Sequence, residues 1–226
     1  MARVKYCGIT DLETAKYAQT LGVDALGFVF AKSKRQVSTD KAKEIVGSLG
    51  PFVSVGGVFV GESENKVAEI ASYCRLDYVQ LHGDETESYI KSLCKIFDNL
   101  NLNVDIIKAF KVKDESSVSE IIDFASEKYS CRYLSGYLLD AYSKDGHGGT
   151  GKTFNWEYFD RVKDNIDKPL ILAGGLNPDN IYEALQKTSP YGVDVSSGIE
   201  SNAKKDKEKM KEFITQVWRW QKDVFR

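Results

Sequence analysis

Eight apolar runs of strand length recur along the chain, separated by segments whose apolar residues repeat at helical spacing. The runs are Val4–Cys7, Ala25–Phe30, Phe52–Val58, Tyr78–Leu81, Val104–Phe110, Tyr137–Leu139, Leu170–Ala173 and Val193–Val195. Most lack an alternating polar face, the pattern of parallel strands covered on both sides. Between them, Val67, Ile70, Ala71 and Cys74 form one helical stripe, and Met210, Phe213, Ile214, Val217 and Trp218 form another. Thr10 followed by Glu13 reads as a capping box after the first strand. Asn177-Pro178 reads as an N-cap with proline at the first helical position. No linker divides the 226 residues, so residues 1–226 read as one unit. Eight βα repeats in that length predict an α/β chain closed into a single (β/α)8 TIM barrel; an open doubly wound sheet is the alternative.

Charge narrows the partners. Thirty-one Lys and Arg balance 33 Asp and Glu, interspersed without long single-sign runs. A nucleic-acid or membrane-surface binder would need a basic face, so the expectation is no nucleic acid and no membrane. No apolar run approaches the roughly 18 residues of a membrane helix. The first residues lack a signal peptide's apolar core. The cysteines Cys7, Cys74, Cys94 and Cys131 are scattered with no C-x-x-C pair, and His82 and His147 stand far apart. That spacing predicts neither disulfides nor a metal site, and a reducing, cytoplasmic setting.

In a barrel of this kind the chemistry lies where strands end. Ala173-Gly174-Gly175-Leu176 and Asp194-Val195-Ser196-Ser197-Gly198 follow the last two strands. Glycines there let backbone N–H groups approach an anion, which predicts phosphate-binding loops after strands 7 and 8. Tight turns would use the same residue types. Gly146-His147-Gly148-Gly149-Thr150-Gly151-Lys152-Thr153 satisfies the Walker A pattern, but its context is wrong. Ala141–Asp145 separate it from the strand, and Asn155 reads as the helix cap, so a glycine-rich lid over the barrel mouth fits better.

Cys7 and Asp140 end strands on opposite sides of the ring. Lys5 shares a strand face with Cys7. If that face points inward, its ammonium would favour a thiolate, whereas the plain alternative is a small core residue. Asp140, following Leu138-Leu139, is expected in a partly desolvated mouth, where burial favours the protonated acid. A metal-binding role for Asp140 lacks further ligands. The pair suggests two-sided proton transfer on a small phosphorylated substrate.

These residues carry a resemblance to the phosphoribosylanthranilate isomerase family. The matching stretches are Val4-Lys5-Tyr6-Cys7-Gly8-Ile9-Thr10, Gly27-Phe28-Val29-Phe30 with Ser33-Lys34-Arg35, and Val79-Gln80-Leu81-His82-Gly83. Leu138-Leu139-Asp140, Gly148–Phe154, Leu172–Pro178 and Val193–Gly198 follow in the family's order. The resemblance implies an Amadori rearrangement of N-(5′-phosphoribosyl)anthranilate in tryptophan biosynthesis. It makes Asp140 the acid at the furanose oxygen and Cys7 the base at C2, with no metal and no cofactor. It implies substrate contacts at Lys5, Arg35, His82, Gly149, Gly174, Gly175, Asp194, Ser196, Ser197 and Gly198, with Arg35 on the anthranilate carboxylate. The expected partner is a small phosphoribosyl molecule, with the chain a monomer or homodimer. The sequence departs from the family at Ser201-Asn202-Ala203, where Pro-Gly is usual, at Tyr6, where a smaller residue is common, and at Asn155, where Asp is. The competing readings are a related barrel isomerase for a histidine-pathway aminoaldose and a non-catalytic phosphate-binding barrel.

Overall fold

A computed structural model describes residues 1–126, 133–141 and 156–224, with only the backbone of Ala141. The Walker-like segment, Gly149, Asn155, Cys131 and Phe225 fall outside these. Eight parallel strands close into a barrel in sequence order: β1 (Arg3–Cys7), β2 (Ala25–Val29), β3 (Ser54–Phe59), β4 (Tyr78–Leu81), β5 (Asp105–Val112), β6 (Leu134–Ala141), β7 (Leu170–Ala173) and β8 (Gly192–Val195). Every expected run holds a strand, and the closed barrel replaces the open-sheet alternative. Phe52 is the clearest end error: it is 96% exposed, and β3 starts two residues later.

Helices α1 (Leu12–Thr20), α2 (Thr39–Val46), α3 (Glu64–Cys74), α4 (Glu87–Asn99), α5 (Glu115–Ser126), α6 (Trp156–Lys163), α7 (Ile181–Thr188) and α8 (Lys207–Val224) surround the barrel. Six begin on a side-chain cap: Asp11, Ser38, Ser63, Thr86, Asp114 and Asp206 accept from the amides of Thr14, Lys41, Lys66, Tyr89, Ser117 and Lys209. Each such cap contributes about 1 kcal/mol. The first cap is therefore Asp11 and not Thr10, because a carboxylate one residue on reaches the Thr14 amide at 2.8 Å. The α7 start also moves. Asn177 closes a turn by accepting from Asp179 and Asn180, and the helix begins at Ile181.

The main core lies between sheet and helices. Val67, Ile70, Ala71 and Cys74 of α3 and Met210, Phe213, Ile214 and Val217 of α8 all enter it. Trp218 does not, being 49% exposed; Trp220 closes the stripe instead. Tyr6 points outward into this core, donates to the Met210 carbonyl and meets the edge of Phe213, tying β1 to α8. Cys94 on α4 is disulfide-bonded, against the expectation of thiols throughout. Disulfide pairing depends on proximity in the fold, which sequence spacing does not encode. A separate apolar cluster of Ala109, Leu138, Ile171 and Ala173 fills one side of the barrel interior.

After β8 a single 3-10 turn leads into a two-stranded hairpin, β9 (Glu200–Ser201) and β10 (Lys204–Lys205). Its central residues Asn202 and Ala203 both have positive φ, 52° and 61°. A tight hairpin of this hand favours Asn followed by Gly. The chain supplies the first and places a Cβ at the second. Ala203→Gly should therefore raise stability by about 0.5–1 kcal/mol, the relief of left-handed strain net of added chain entropy. The readout is a higher urea midpoint at unchanged slope; an unchanged midpoint would show that the turn carries no strain.

Candidate active site

The strand ends collect the expected residues at one mouth. Cys7 ends β1, His82-Gly83 follows β4, Asp140 lies near the end of β6, Gly174-Gly175 follows β7, and Ser196–Gly198 follows β8. Cys7 and Asp140 lie on strands three steps apart one way round the ring and five the other. Gly27 of β2 makes room for the first of them. A Cβ there would stand 2.9 Å from the Cys7 sulfur and 3.0 Å from Cε of Lys5. Lys5 and Cys7 thus do share the inward face.

Lys5 is not open to solvent. It is buried, salt-bridged at 2.8 Å to Asp194, its register partner on β8, and hydrogen-bonded to Oε1 of Gln80. Burial alone would lower its pKa; Asp194, with Cys7 and Tyr78, outweighs that and keeps it an ammonium. Oδ1 of Asp194 has no hydrogen-bond partner among the described residues. The Cys7 thiol departs from the expectation. Burial pushes its pKa above the ordinary value, Lys5 and Lys205 pull it down, and Asp194 pushes up again. The net shift is upward because burial, helped by the carboxylate that faces Lys5, outweighs the two lysines.

From Lys5 a hydrogen-bond chain crosses to the other wall. Gln80 Nε2 lies 2.8 Å from His82 Nδ1, and His82 Nε2 lies 3.1 Å from Asp140 Oδ2. An ammonium only donates, so it must face the amide oxygen of Gln80. The amide nitrogen then donates to Nδ1, which leaves the imidazole proton on Nε2, aimed at Asp140. Asp140 is less desolvated than expected, with its side chain 31% exposed.

The His82-Gly83 corner is pinned from outside the barrel. Glu85 and Lys108, both buried, pair at 2.9 Å. Glu85 also accepts from the amides of Gly61 and Gly83, and Lys108 donates to the Gly83 carbonyl. Burial would raise the Glu85 carboxyl, but those amides and Lys108 hold it below its ordinary value. Neither residue was singled out by the sequence, where each reads as one more surface charge.

The loops after β7 and β8 touch. A Cβ at Gly198 would collide with the Leu176 carbonyl oxygen, while Gly174 and Gly175 have φ of 88° and 65°. A recess of about 270 Å³ lies there, lined in part by Gly175, Asn177, Ser197, Gly198 and Lys209. Ser196 is otherwise engaged, its hydroxyl donating to the Cys7 carbonyl at 3.1 Å. Arg35, on the loop after β2, forms a two-pronged ion pair with Glu200. A larger recess of about 410 Å³ opens at the opposite end, where strands begin, beside the Arg3–Asp24 pair. The chemistry-bearing side chains are at the other mouth.

The direction of the Lys5–Gln80–His82 chain can be read in solution. A nitrogen–proton correlation spectrum at neutral pH should show His82 as the Nε2–H tautomer, and Gln80→Leu should abolish that preference. A dominant Nδ1–H form in the parent protein would contradict the chain.

A family model described as N-(5′-phosphoribosyl)anthranilate (PRA) isomerase matches residues 4–216. The N-(5′-phosphoribosyl)anthranilate isomerase of Geotalea uraniireducens is 48% identical over 216 residues, covering 95% of this chain and 97% of that protein. The isomerase of Moorella thermoacetica is 44% identical, covering 96% and 90%. Among solved structures, phosphoribosylanthranilate isomerase from Thermotoga maritima superposes with a TM-score of 0.84 at 38% identity, covering 97% of this chain and all of that one. A second structure similar to this chain, at 35% identity, is a phosphoribosylanthranilate isomerase in complex with reduced 1-(o-carboxyphenylamino)-1-deoxyribulose 5-phosphate. The chain belongs to the phosphoribosylanthranilate isomerase family, which converts N-(5′-phosphoribosyl)anthranilate to 1-(2-carboxyphenylamino)-1-deoxyribulose 5-phosphate in tryptophan biosynthesis.

Proposed function

We propose that Asp140 and Cys7 are the acid and base of this isomerisation, acting from opposite walls of the barrel mouth. The observation that carries the assignment is their placement: one inward thiol on β1 and one carboxyl on β6, with glycine loops beside them after β7 and β8. Asp140 delivers a proton to the furanose ring oxygen as the C1–O bond breaks, and the substrate nitrogen's lone pair forms the iminium. Cys7, as thiolate, removes the proton from C2, and the electrons of that C–H bond return toward nitrogen to give the enolamine. Tautomerisation of the enolamine completes the ketone. The His82 N–H, donating to Asp140, orients the acid, while Lys5 and Asp194, expected as substrate contacts, are both buried and act on Cys7 from beneath.

The phosphate end belongs to the amides of Gly174, Gly175, Ser197 and Gly198. Arg35 receives the aromatic carboxylate, since a guanidinium fork matches that planar anion. The ligand in the similar isomerase complex supports a phosphoribosyl partner. The Thermotoga maritima isomerase is dimeric, and the similar structure is of monomers generated from it; the parent enzyme's state supports a homodimer over a monomer.

The test follows the fluorescence of phosphoribosylanthranilate generated in place with wild type, Cys7→Ser and Asp140→Asn. Each variant should lose about 10²–10⁴-fold in kcat, the range for a positioned acid or base. Turnover of a histidine-pathway aminoaldose alone, or phosphate binding with no turnover, would transfer the chain to one of the competing readings. The thiol's upward shift sets the pH dependence. The acid must be protonated while the base is not, so the base is read alone in Asp140→Asn, where the acid limb is absent: its residual kcat/KM should rise with pH and still be climbing at the ordinary thiol value of 9.0. A plateau reached well below that value would exclude Cys7 as the titrating base.

A further inference from the structure

Arg35 is not a free arm. Its Nε and Nη2 donate to the two oxygens of Glu200 at 2.6 and 2.8 Å. The same carboxylate accepts from Lys205 at 2.9 Å, across one rung of the β9–β10 hairpin. Lys205 also donates to the carbonyl of Ser196 at 2.9 Å and approaches its hydroxyl at 3.4 Å. That hydroxyl is the one bonded to the Cys7 carbonyl. Glu200 and Lys205 have only 7% and 3% of their side chains exposed, against 22% for Arg35. The stem of Arg35 crosses Gly8, beside Cys7, where φ is 78° and a Cβ would stand 2.6 Å from its Cδ.

Two cations on one carboxylate leave a net charge of about +1 in a largely dry corner of the mouth, where charged groups interact more strongly than in water. The geometry of the fork matters as much. Glu200 occupies the Nε/Nη2 edge of the guanidinium, and Nη1 has no hydrogen bond among the described residues. A guanidinium can hold a second carboxylate on the edge formed by its two terminal nitrogens. Burial alone would raise the Glu200 carboxyl, but hydrogen bonds from Arg35 and Lys205 bring it to about 2. The Glu200 carboxylate is therefore charged at any working pH, whereas burial pulls the Lys205 ammonium below its ordinary value against the support of Glu200. We propose that Glu200 and Lys205 are the positioning pair of the carboxylate site: Glu200 holds Arg35 side-on, so that its terminal edge receives the substrate's aromatic carboxylate, and Lys205 offsets the charge of Glu200. This rests on the reading of Arg35 as the carboxylate's partner.

The rival is that Glu200 merely parks Arg35 and must be displaced by substrate. The two predict opposite signs. Under the proposal, Glu200→Gln raises KM by about 10-fold, the loss of one charge-assisted contact's worth of alignment, with a much smaller change in kcat. Glu200→Asp, which keeps the charge on a shorter arm, recovers part of that loss. For N-(5-phosphoribosyl)aniline, which lacks the carboxylate, Glu200→Gln leaves KM at the wild-type value. A lowered KM for the natural substrate establishes parking, and an unchanged KM removes the positioning role. An equal rise for both substrates makes Glu200 a general structural support and also overturns the proposal. Arg35→Met separates the two levels. If its KM for the natural substrate is unchanged, the reading of Arg35 falls and the proposal with it. If Arg35→Met raises KM and Glu200→Gln does not, only the proposal falls. Melting temperature and inorganic phosphate binding, measured on each variant, exclude misfolding as the cause of a raised KM.

Discussion

The buried ion pair between Lys5 and Asp194 is the interaction on which the site depends. The two residues are register partners on β1 and β8, so the pair spans the seam where the barrel closes. Removing water from two charges costs several kcal/mol per ion, and close approach offsets it only when the geometry is good. Here Lys5 gains a second acceptor in Gln80, while one oxygen of Asp194 remains without a partner among the described residues. The pair is therefore a poor device for stability alone. It makes more sense as an orienting device, because the same ammonium sits under Cys7 and fixes the amide of Gln80. Through that amide it sets the proton on His82 and so reaches Asp140.

Around this centre the mouth carries two further buried ion pairs. Glu85 and Lys108 anchor the corner carrying His82, and Glu200 and Lys205 hold the arm carrying Arg35. The first pair joins residues 23 apart, Glu200 reaches 165 residues back to Arg35, and each pair includes a lysine whose side chain is almost wholly buried. Removing one member of such a pair leaves an uncompensated buried charge. A preorganised site needs this second layer, since a reacting group held loosely loses much of its rate advantage. Burial also explains why the thiol did not follow its neighbour. Lys5 lowers Cys7, but Asp194 answers that charge at close range and desolvation prevails.

The strands were readable because parallel strands covered on both faces leave uninterrupted apolar runs, and β4 and β7 match their expected limits to the residue. The helices were readable as stripes, with errors at their ends. Asp11 displaced Thr10 as a cap because several side chains can satisfy the same amide. Trp218 and Trp220 exchanged places because a stripe's last turn is decided by what remains to be covered. The residues ending strands were legible, since a cysteine, an aspartate or paired glycines stand out after an apolar run. Glu85, Lys108, Glu200 and Lys205 were not. Nothing local separates a lysine that will be buried against a carboxylate from the many that stay in water. Their partners lie 23, 165 and 5 residues away, respectively for Lys108–Glu85, Arg35–Glu200 and Lys205–Glu200.

The contact between Gly198 and the Leu176 carbonyl has a consequence for how such a barrel acquires new substrates. The two loops that follow β7 and β8 meet backbone to backbone, with no side chain between them to repack. Neither can shift without carrying the other. On the proposed reading a phosphate handle would be held there by what amounts to one rigid jaw, whereas the arm of Arg35 is held by a side-chain clamp that a single substitution can reset. Variation therefore falls unequally on the two ends of a bound molecule. The handle is fixed and the group at the far end is negotiable, so divergence within this architecture should exchange aromatic acids for other head groups long before it abandons the sugar phosphate.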